Sequence, residues 1–172
     1  MEKQSKIILI TGGQRSGKSE EAERLALQLS SHPVYVATAH VWDEEFRQRV
    51  SQHQKRRGPQ WTNVEEERRL GTIDLTGRVA VIDCVTLWLT NLLFDTDDVA
   101  RALAVAKAEF DAFTSRPGAT FIFVTNEIGM GGVSDNALQR RFTDLQGWMN
   151  QYIADRADEV LLMVSGIRMK VK

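Results

Sequence analysis

One cysteine, Cys84, stands among the 172 residues of this chain. That excludes an intramolecular disulfide and makes a reducing compartment the expected setting. Cys84 follows an apolar run, so it reads as a small buried residue rather than a nucleophile. An excess of either charge is lacking too. Lys and Arg number 22 against 23 Asp and Glu, a net charge of −1, and nothing draws the whole chain toward nucleic acid or an anionic membrane. No apolar run approaches the roughly 20 residues of a membrane span. Met1 to Lys6 is polar and the run after it is short, so no signal peptide is expected and the chain reads as cytoplasmic. Internal repeats, linkers and low-complexity segments are missing. So is the Asn-Lys-x-Asp string of regulatory GTPases, which leaves guanine preference unreadable from that device.

What is present describes a single domain over residues 1–172. Hydrophobic residues make up 42% and charged residues 26%, ordinary values for a globular chain long enough to bury a core. Near-continuous apolar runs at Lys6–Thr11, Val34–Ala37, Val79–Asp83, Thr120–Thr125 and Glu159–Val164 predict strands buried on both faces of a parallel sheet. Helical stripes lie between them: Ala22, Leu25, Ala26 and Leu29; Val99, Leu103, Ala106, Phe110 and Phe113; Leu138, Phe142, Leu145, Met149 and Tyr152. Arg56-Arg57-Gly58-Pro59 ends a further helix, and Pro117-Gly118 makes a turn. Alternating strands and helices specify an α/β fold whose ligands gather at the carboxyl ends of the strands.

The most informative stretch is Gly12-Gly13-Gln14-Arg15-Ser16-Gly17-Lys18-Ser19. It has the spacing of a P-loop, and it lies between an apolar strand and a helix-forming run, the context the motif needs. Glycines let successive N–H groups turn inward around a phosphate. The helix N-terminus adds partial positive charge. Lys18 is expected on the β- and γ-phosphates and the Ser19 hydroxyl on Mg²⁺. The fold class is therefore a P-loop NTPase-type, mostly parallel sheet flanked by helices on both faces.

Such a site needs an acid at the end of a neighbouring strand. Asp83 closes Val79-Ala80-Val81-Ile82 and supplies it; the competing role is the N-cap of the next helix. Asn126 and Glu127 end the fourth strand, before a Gly-rich loop at Gly129, Gly131 and Gly132, and can face the same crevice or simply close a loop.

Residues 42–57 form a helix with acids at its start and bases at its end. Phe46, Val50 and His53 share a face, and Arg49 lies one turn before His53. His53 reads either as a partly buried core histidine or as a neutral imidazole that attacks phosphorus, with Arg47, Arg49, Lys55, Arg56 and Arg57 balancing charge on a leaving pyrophosphate.

The segments GGQRSGKS, YVATA (35–39), DEEFRQRVSQH (43–53), PQWTNVE (59–65), IDCVTLWLTNLL (82–93), VTNEIGMG (124–131) and ADEVLLMVSG (157–166) occur in this order. Together they resemble the bifunctional adenosylcobinamide kinase/adenosylcobinamide-phosphate guanylyltransferases of cobalamin biosynthesis, over nearly the whole chain. The resemblance implies two reactions. An NTP γ-phosphoryl group goes to the aminopropanol hydroxyl of adenosylcobinamide. GTP then gives GMP to a histidine, matching His53, and GMP passes to adenosylcobinamide phosphate. It implies Mg²⁺, with GTP and ATP as substrates and Arg49, Glu65, Asn126 and Glu127 beside the P-loop at the nucleotide. It also implies a homotrimer with sites near subunit interfaces. The chain departs from the family in two places: Gly132-Val133-Ser134 stands where a branched apolar residue and Val-Pro are usual, and Gln52 stands where some members have a second histidine. The rival readings are a P-loop kinase of a small metabolite with no covalent step, and a nucleotide-dependent switch. A nucleic-acid enzyme is disfavoured because no recognition motif appears.

Overall fold

The computed structural model describes residues 4–172. Seven strands form one sheet: β1 (Lys6–Gly12), β2 (Val34–Ala37), β3 (Thr62–Glu65), β4 (Val79–Asp83), β5 (Thr120–Val124), β6 (Glu159–Val164) and β7 (Ile167–Lys170). Their spatial order is β3-β2-β4-β5-β1-β6-β7. All neighbours are parallel except β6 and β7. Five helices, α1 (Lys18–Leu29), α2 (Glu44–Arg56), α3 (Val85–Thr96), α4 (Val99–Thr114) and α5 (Ala137–Arg156), and one short 3₁₀ turn complete the described chain.

The period of two along each strand divides the core. Leu9, Val36, Ile82 and Phe123 point to one face, where Trp88, Phe110, Leu145 and Met149 of α3, α4 and α5 cover them. Ile8, Ile10, Val81, Ile122 and Val124 point to the other, against Ala22 and Ala26 of α1. Small residues on α1 let that helix lie close to the sheet. Phe110 is fully buried and packs on Phe123 at 5.2 Å between ring centroids.

The five predicted strands are all present, two of them shifted by one residue at the C-terminal end. Two further strands were not predicted. β3 is exposed apart from Val64, and β7 is exposed throughout. Both are sheet edges, where one side of the strand meets water and no apolar run is needed. The basic stretch Arg168–Lys172 therefore faces solvent and is also paired: Met163 lies opposite Arg168.

Local chemistry fixes the helix starts. Asp43, Asp98 and Asn136 cap α2, α4 and α5 by accepting from Phe46, Arg101 and Gln139 amides. α1 and α3 start without a side-chain cap, at Gly17 and Cys84. At α1 the uncapped amides follow directly on the Gly-rich loop, where a helix start favours an anion.

Candidate functional site

The P-loop leaves β1 at Gly12 and enters α1 at Lys18. Gly12 has φ +156°, and a Cβ there would lie 2.6 Å from the Met163 carbonyl and 2.7 Å from the Ser16 hydroxyl. Only glycine lets the loop pass β6 so closely. Gly17 has φ +93° and Arg15 φ +53°, so the loop turns in a left-handed sense at two points. The Lys18 side chain is buried, with its ammonium donating to the Gly13 carbonyl inside the loop. Burial holds that ammonium below the ordinary lysine range, opposed by Cys84 and Asp83 nearby.

β4 and β2 lie side by side, and their carboxyl ends meet this loop. Asp83 Oδ2 accepts from the Ser19 hydroxyl at 2.7 Å and from the Tyr35 hydroxyl at 2.8 Å. The N-cap role for Asp83 is not the one the structure uses: Cys84 occupies the N-cap of α3. Thr38 pins this corner. Its hydroxyl donates to the Cys84 carbonyl at 2.7 Å and accepts from the Cys84 amide at 2.9 Å. Cys84 is buried, and burial beside Asp83 pushes its thiol up to about 12, which makes it a poor nucleophile.

A hydroxyl and a carboxylate 2.7 Å apart next to a phosphate loop are hard oxygen donors of the kind Mg²⁺ takes. Among the described residues no cluster of three or more His, Cys, Asp or Glu forms a cage for a metal. Mg²⁺ fits that pattern, because it draws most of its remaining ligands from water and substrate phosphates.

A cleft of about 670 Å³ lies over the loop, lined by residues 14–20, by Arg49 and His53 of α2, and by Ser165 and Gly166. A second, smaller cavity of about 210 Å³ adjoins it, lined by Tyr35, Asp83, Phe46, Val50, Arg57 and Leu87 among others, and again by Ser19, Arg49 and His53. α2 thus forms the wall between the two. His53 is exposed, which rules out the core-histidine reading. α2 buries no residue at all. Phe46 and Val50 line the smaller cavity with His53, so the expected face exists and covers a pocket instead of a core.

The basic segment proves less open than expected. Arg47 and Arg49 pair with Glu44 and Glu45. Arg56 spans Glu20 and Glu23 of α1 at 3.1 and 2.9 Å. Arg57 is buried. Of the five bases, Arg49 alone lines the P-loop cleft.

The remaining expected residues stand further off. Glu65 ends β3 beside Ala37, and its carboxylate accepts from Gln54, which lines the smaller cavity. Asn126 donates to the Thr86 hydroxyl from its backbone at 3.2 Å and its side chain at 2.9 Å. The Glu127 amide donates to the Gly12 carbonyl, while its carboxylate accepts from the Gly129 and Met130 amides. The two residues brace the end of β5 against the P-loop and α3, and line neither cavity.

Sequence reasoning missed Ser165 and Gly166. The β6–β7 turn brings the Gly166 amide to the Ser16 carbonyl at 3.0 Å, and the signal was the Ser-Gly pair between two alternating runs. Tyr35 stands in the YVATA segment with no role expected of it, and Arg57, expected on the leaving pyrophosphate, lies buried at the smaller cavity instead of over the P-loop.

The family model described as "Cobinamide kinase / cobinamide phosphate guanyltransferase" matches residues 8–171. The chain belongs to that family. Members similar to it include the bifunctional adenosylcobalamin biosynthesis protein CobP of Pseudomonas aeruginosa, 40% identical over 95% of this chain and 96% of the relative. The proteins named CobU of Escherichia coli and Salmonella typhimurium are 38% and 39% identical, each over 96% of this chain and 99% of the relative. Among solved structures, an ATPase of a type III secretion system superposes with TM-score 0.57 at 12% identity, over 96% of this chain and 56% of that one. A Pyrococcus horikoshii protein superposes with TM-score 0.54 at 8% identity, over 99% and 87%. At such identities the likeness shows the fold alone, an α/β sheet with helices on both faces. As a cobinamide kinase/guanyltransferase family member the protein is an enzyme of cobalamin biosynthesis. No helix among the described residues is long and apolar enough to cross a membrane.

Proposed function

We propose that this cobinamide kinase/guanyltransferase family member catalyses both family reactions in one cleft, with His53 as the covalent carrier of GMP. The observation that supports this is the shared lining: His53 and Arg49 stand over the same P-loop that holds Lys18 and Ser19. Lys18 and the free amides at the start of α1 hold the β- and γ-phosphates. Ser19 and Asp83 hold Mg²⁺, which when bound neutralises phosphate charge. The backbone of residues 12–17 wraps the triphosphate.

In the kinase step the aminopropanol hydroxyl oxygen of adenosylcobinamide attacks the γ-phosphorus of ATP or GTP. The bond from that phosphorus to the bridging oxygen breaks, the nucleoside diphosphate leaves, and the hydroxyl proton passes to water. In the transferase step an imidazole nitrogen of His53 attacks the α-phosphorus of GTP. Pyrophosphate leaves with the α–β bridging oxygen, and Arg49 lies near enough to the loop to balance its charge. A phosphate oxygen of adenosylcobinamide phosphate then attacks the phosphorus, the P–N bond breaks, and His53 is regenerated with adenosylcobinamide-GDP as product. Glu65, Asn126 and Glu127 support the nucleotide from behind the cavity walls rather than from within them.

Family likeness supports a homotrimer, and the single buried thiol is in keeping with a reducing cytoplasm. The mechanism is tested by incubating protein and Mg²⁺ with GTP labelled at the α- or the γ-phosphate. Acid-labile, base-stable label from the α position alone, absent in His53→Ala, is the expected result. A wild-type protein that transfers the γ-phosphoryl group and takes no α-label would be a simple P-loop kinase, and the covalent mechanism would fall.

A further inference from the structure

Tyr35 sits in mid-β2, in register with Val81 of β4. Side chains alternate along a strand, so Tyr35 shares a sheet face with Val81 and with Asp83 two residues on. Its ring runs toward the carboxyl end of the sheet, and its hydroxyl donates to Oδ2 of Asp83 at 2.8 Å. The same oxygen takes the Ser19 hydroxyl at 2.7 Å.

The ring is held from two other sides. Trp61 meets it edge-on, 6.1 Å between centroids at 80°. The Arg57 guanidinium lies over its face, 3.5 Å from the centroid. Arg57 is the C-cap of α2, four residues beyond His53. Its side chain is 1% exposed. Nε donates to Asn63 at 3.1 Å, Nη1 has no hydrogen-bond partner, and the Glu23 carboxylate is 4.0 Å away. A guanidinium this deeply buried and this incompletely paired costs stability. What it gains is a flat seat on the Tyr35 ring.

We infer that Tyr35 and Arg57 form one positioning unit: Tyr35 fixes the Asp83 carboxylate, and Arg57, seated on the Tyr35 ring, fixes the end of the helix that carries His53. The unit rests on the assignment of Ser19 and Asp83 to Mg²⁺ and of His53 to GMP. Its logic lies in the shared oxygen. When the Ser19 hydroxyl turns to a metal, Tyr35 is the side-chain donor left on Oδ2, so it keeps Asp83 oriented while the loop is loaded. Because the same ring seats Arg57, the carboxylate and the histidine helix are placed against one reference surface.

The test is a Mn²⁺ titration followed by electron paramagnetic resonance, with a non-hydrolysable GTP analogue. It compares wild type, Asp83→Asn, Tyr35→Phe and Arg57→Lys. Tyr35→Phe keeps the ring and loses only the hydroxyl, so the fold is retained. It should raise the Mn²⁺ Kd about tenfold, the effect of one hydrogen bond to a charged group, with metal-free analogue affinity unchanged. Arg57→Lys should leave the Mn²⁺ Kd alone and slow α-labelling of His53 about tenfold, through loss of the planar stack.

Tyr35→Phe within twofold of wild type, with Asp83→Asn weakened, overturns the role of Tyr35 and leaves the metal assignment standing. Asp83→Asn at wild-type affinity overturns the metal assignment and the Tyr35 inference together. Wild-type labelling speed in Arg57→Lys overturns the role of Arg57, whereas no labelling in wild type overturns the histidine reading instead. If Arg57→Lys does not fold, Asn63→Ala, which removes the acceptor of Arg57 Nε, replaces it in the labelling assay with the same two outcomes.

Discussion

At the residue scale, the site depends on side chains whose ordinary chemistry is altered by where the fold puts them. Cys84 is the clearest case, its thiol pushed up to about 12 by burial. The folded protein therefore keeps its proton at a pH where the unfolded chain, with a thiol near the ordinary 9.0, has lost it. The stability this gives is complete below pH 9 and is lost as pH rises from 9 towards 12. Chemical denaturation across that range should show a falling midpoint, with a shallower fall in Cys84→Ala. The chain announces some residues of the site and conceals others. Gly12, Lys18 and Ser19 are legible because a phosphate loop requires that spacing, and Asp83 because an acid ending a buried strand has few other uses. Tyr35 and Arg57 were not, since a strand tyrosine and a helix-end arginine are ordinary in each of those places. Their pairing exists only once β2 and α2 are folded against each other.

At the scale of elements, α2 stands apart. It carries His53 yet buries nothing, and its polar hold on the body comes from Arg57 below, from Gln54 to Glu65 of β3, and from Arg56 across to Glu20 and Glu23 on α1. Exposed ion pairs contribute only about 0–1 kcal/mol each, so this helix should open far below the global unfolding free energy. Arg56→Ala should speed hydrogen exchange of α2 amides several-fold while the thermal midpoint of the whole protein barely moves. Exchange confined to wild-type levels in that variant would show that the bridge to α1 is not what retains the helix. The strands illustrate the opposite limit. β1, β2, β4, β5 and β6 could be read from the chain because both their faces are covered. β3 and β7 could not, because Thr62, Asn63, Arg168 and Lys170 satisfy an edge strand as easily as a loop.

For the molecule as a whole, the asymmetry of the two layers matters most. α3 and α4 bury Trp88, Phe110 and Phe113 and α5 buries Leu145, Met149 and Ile153 against one sheet face, while on the other α1 lays only Ala22 and Ala26 in the buried core. Stability should be concentrated in the first layer. Phe110→Ala, which leaves a void beside Phe123 and Tyr152, should cost about 3–5 kcal/mol, read as a lower urea midpoint at constant m-value. A loss under about 1 kcal/mol would mean that this layer repacks freely. The second layer leaves room at the carboxyl ends of β1, β2 and β4, where the cleft forms. One part of that cleft lies far along the chain from the rest. The turn at Ser165 and Gly166, both with positive φ, touches Ser16, and Gly17 has Gly166 as its closest neighbour, 3.3 Å from where a side chain would begin. Hairpin tips are usually where chains drift in length, since an added residue there has only solvent to displace. This one is a spacer of fixed gauge: a residue more or less would change the bore of the phosphate loop itself, so here length, as much as residue identity, is under constraint.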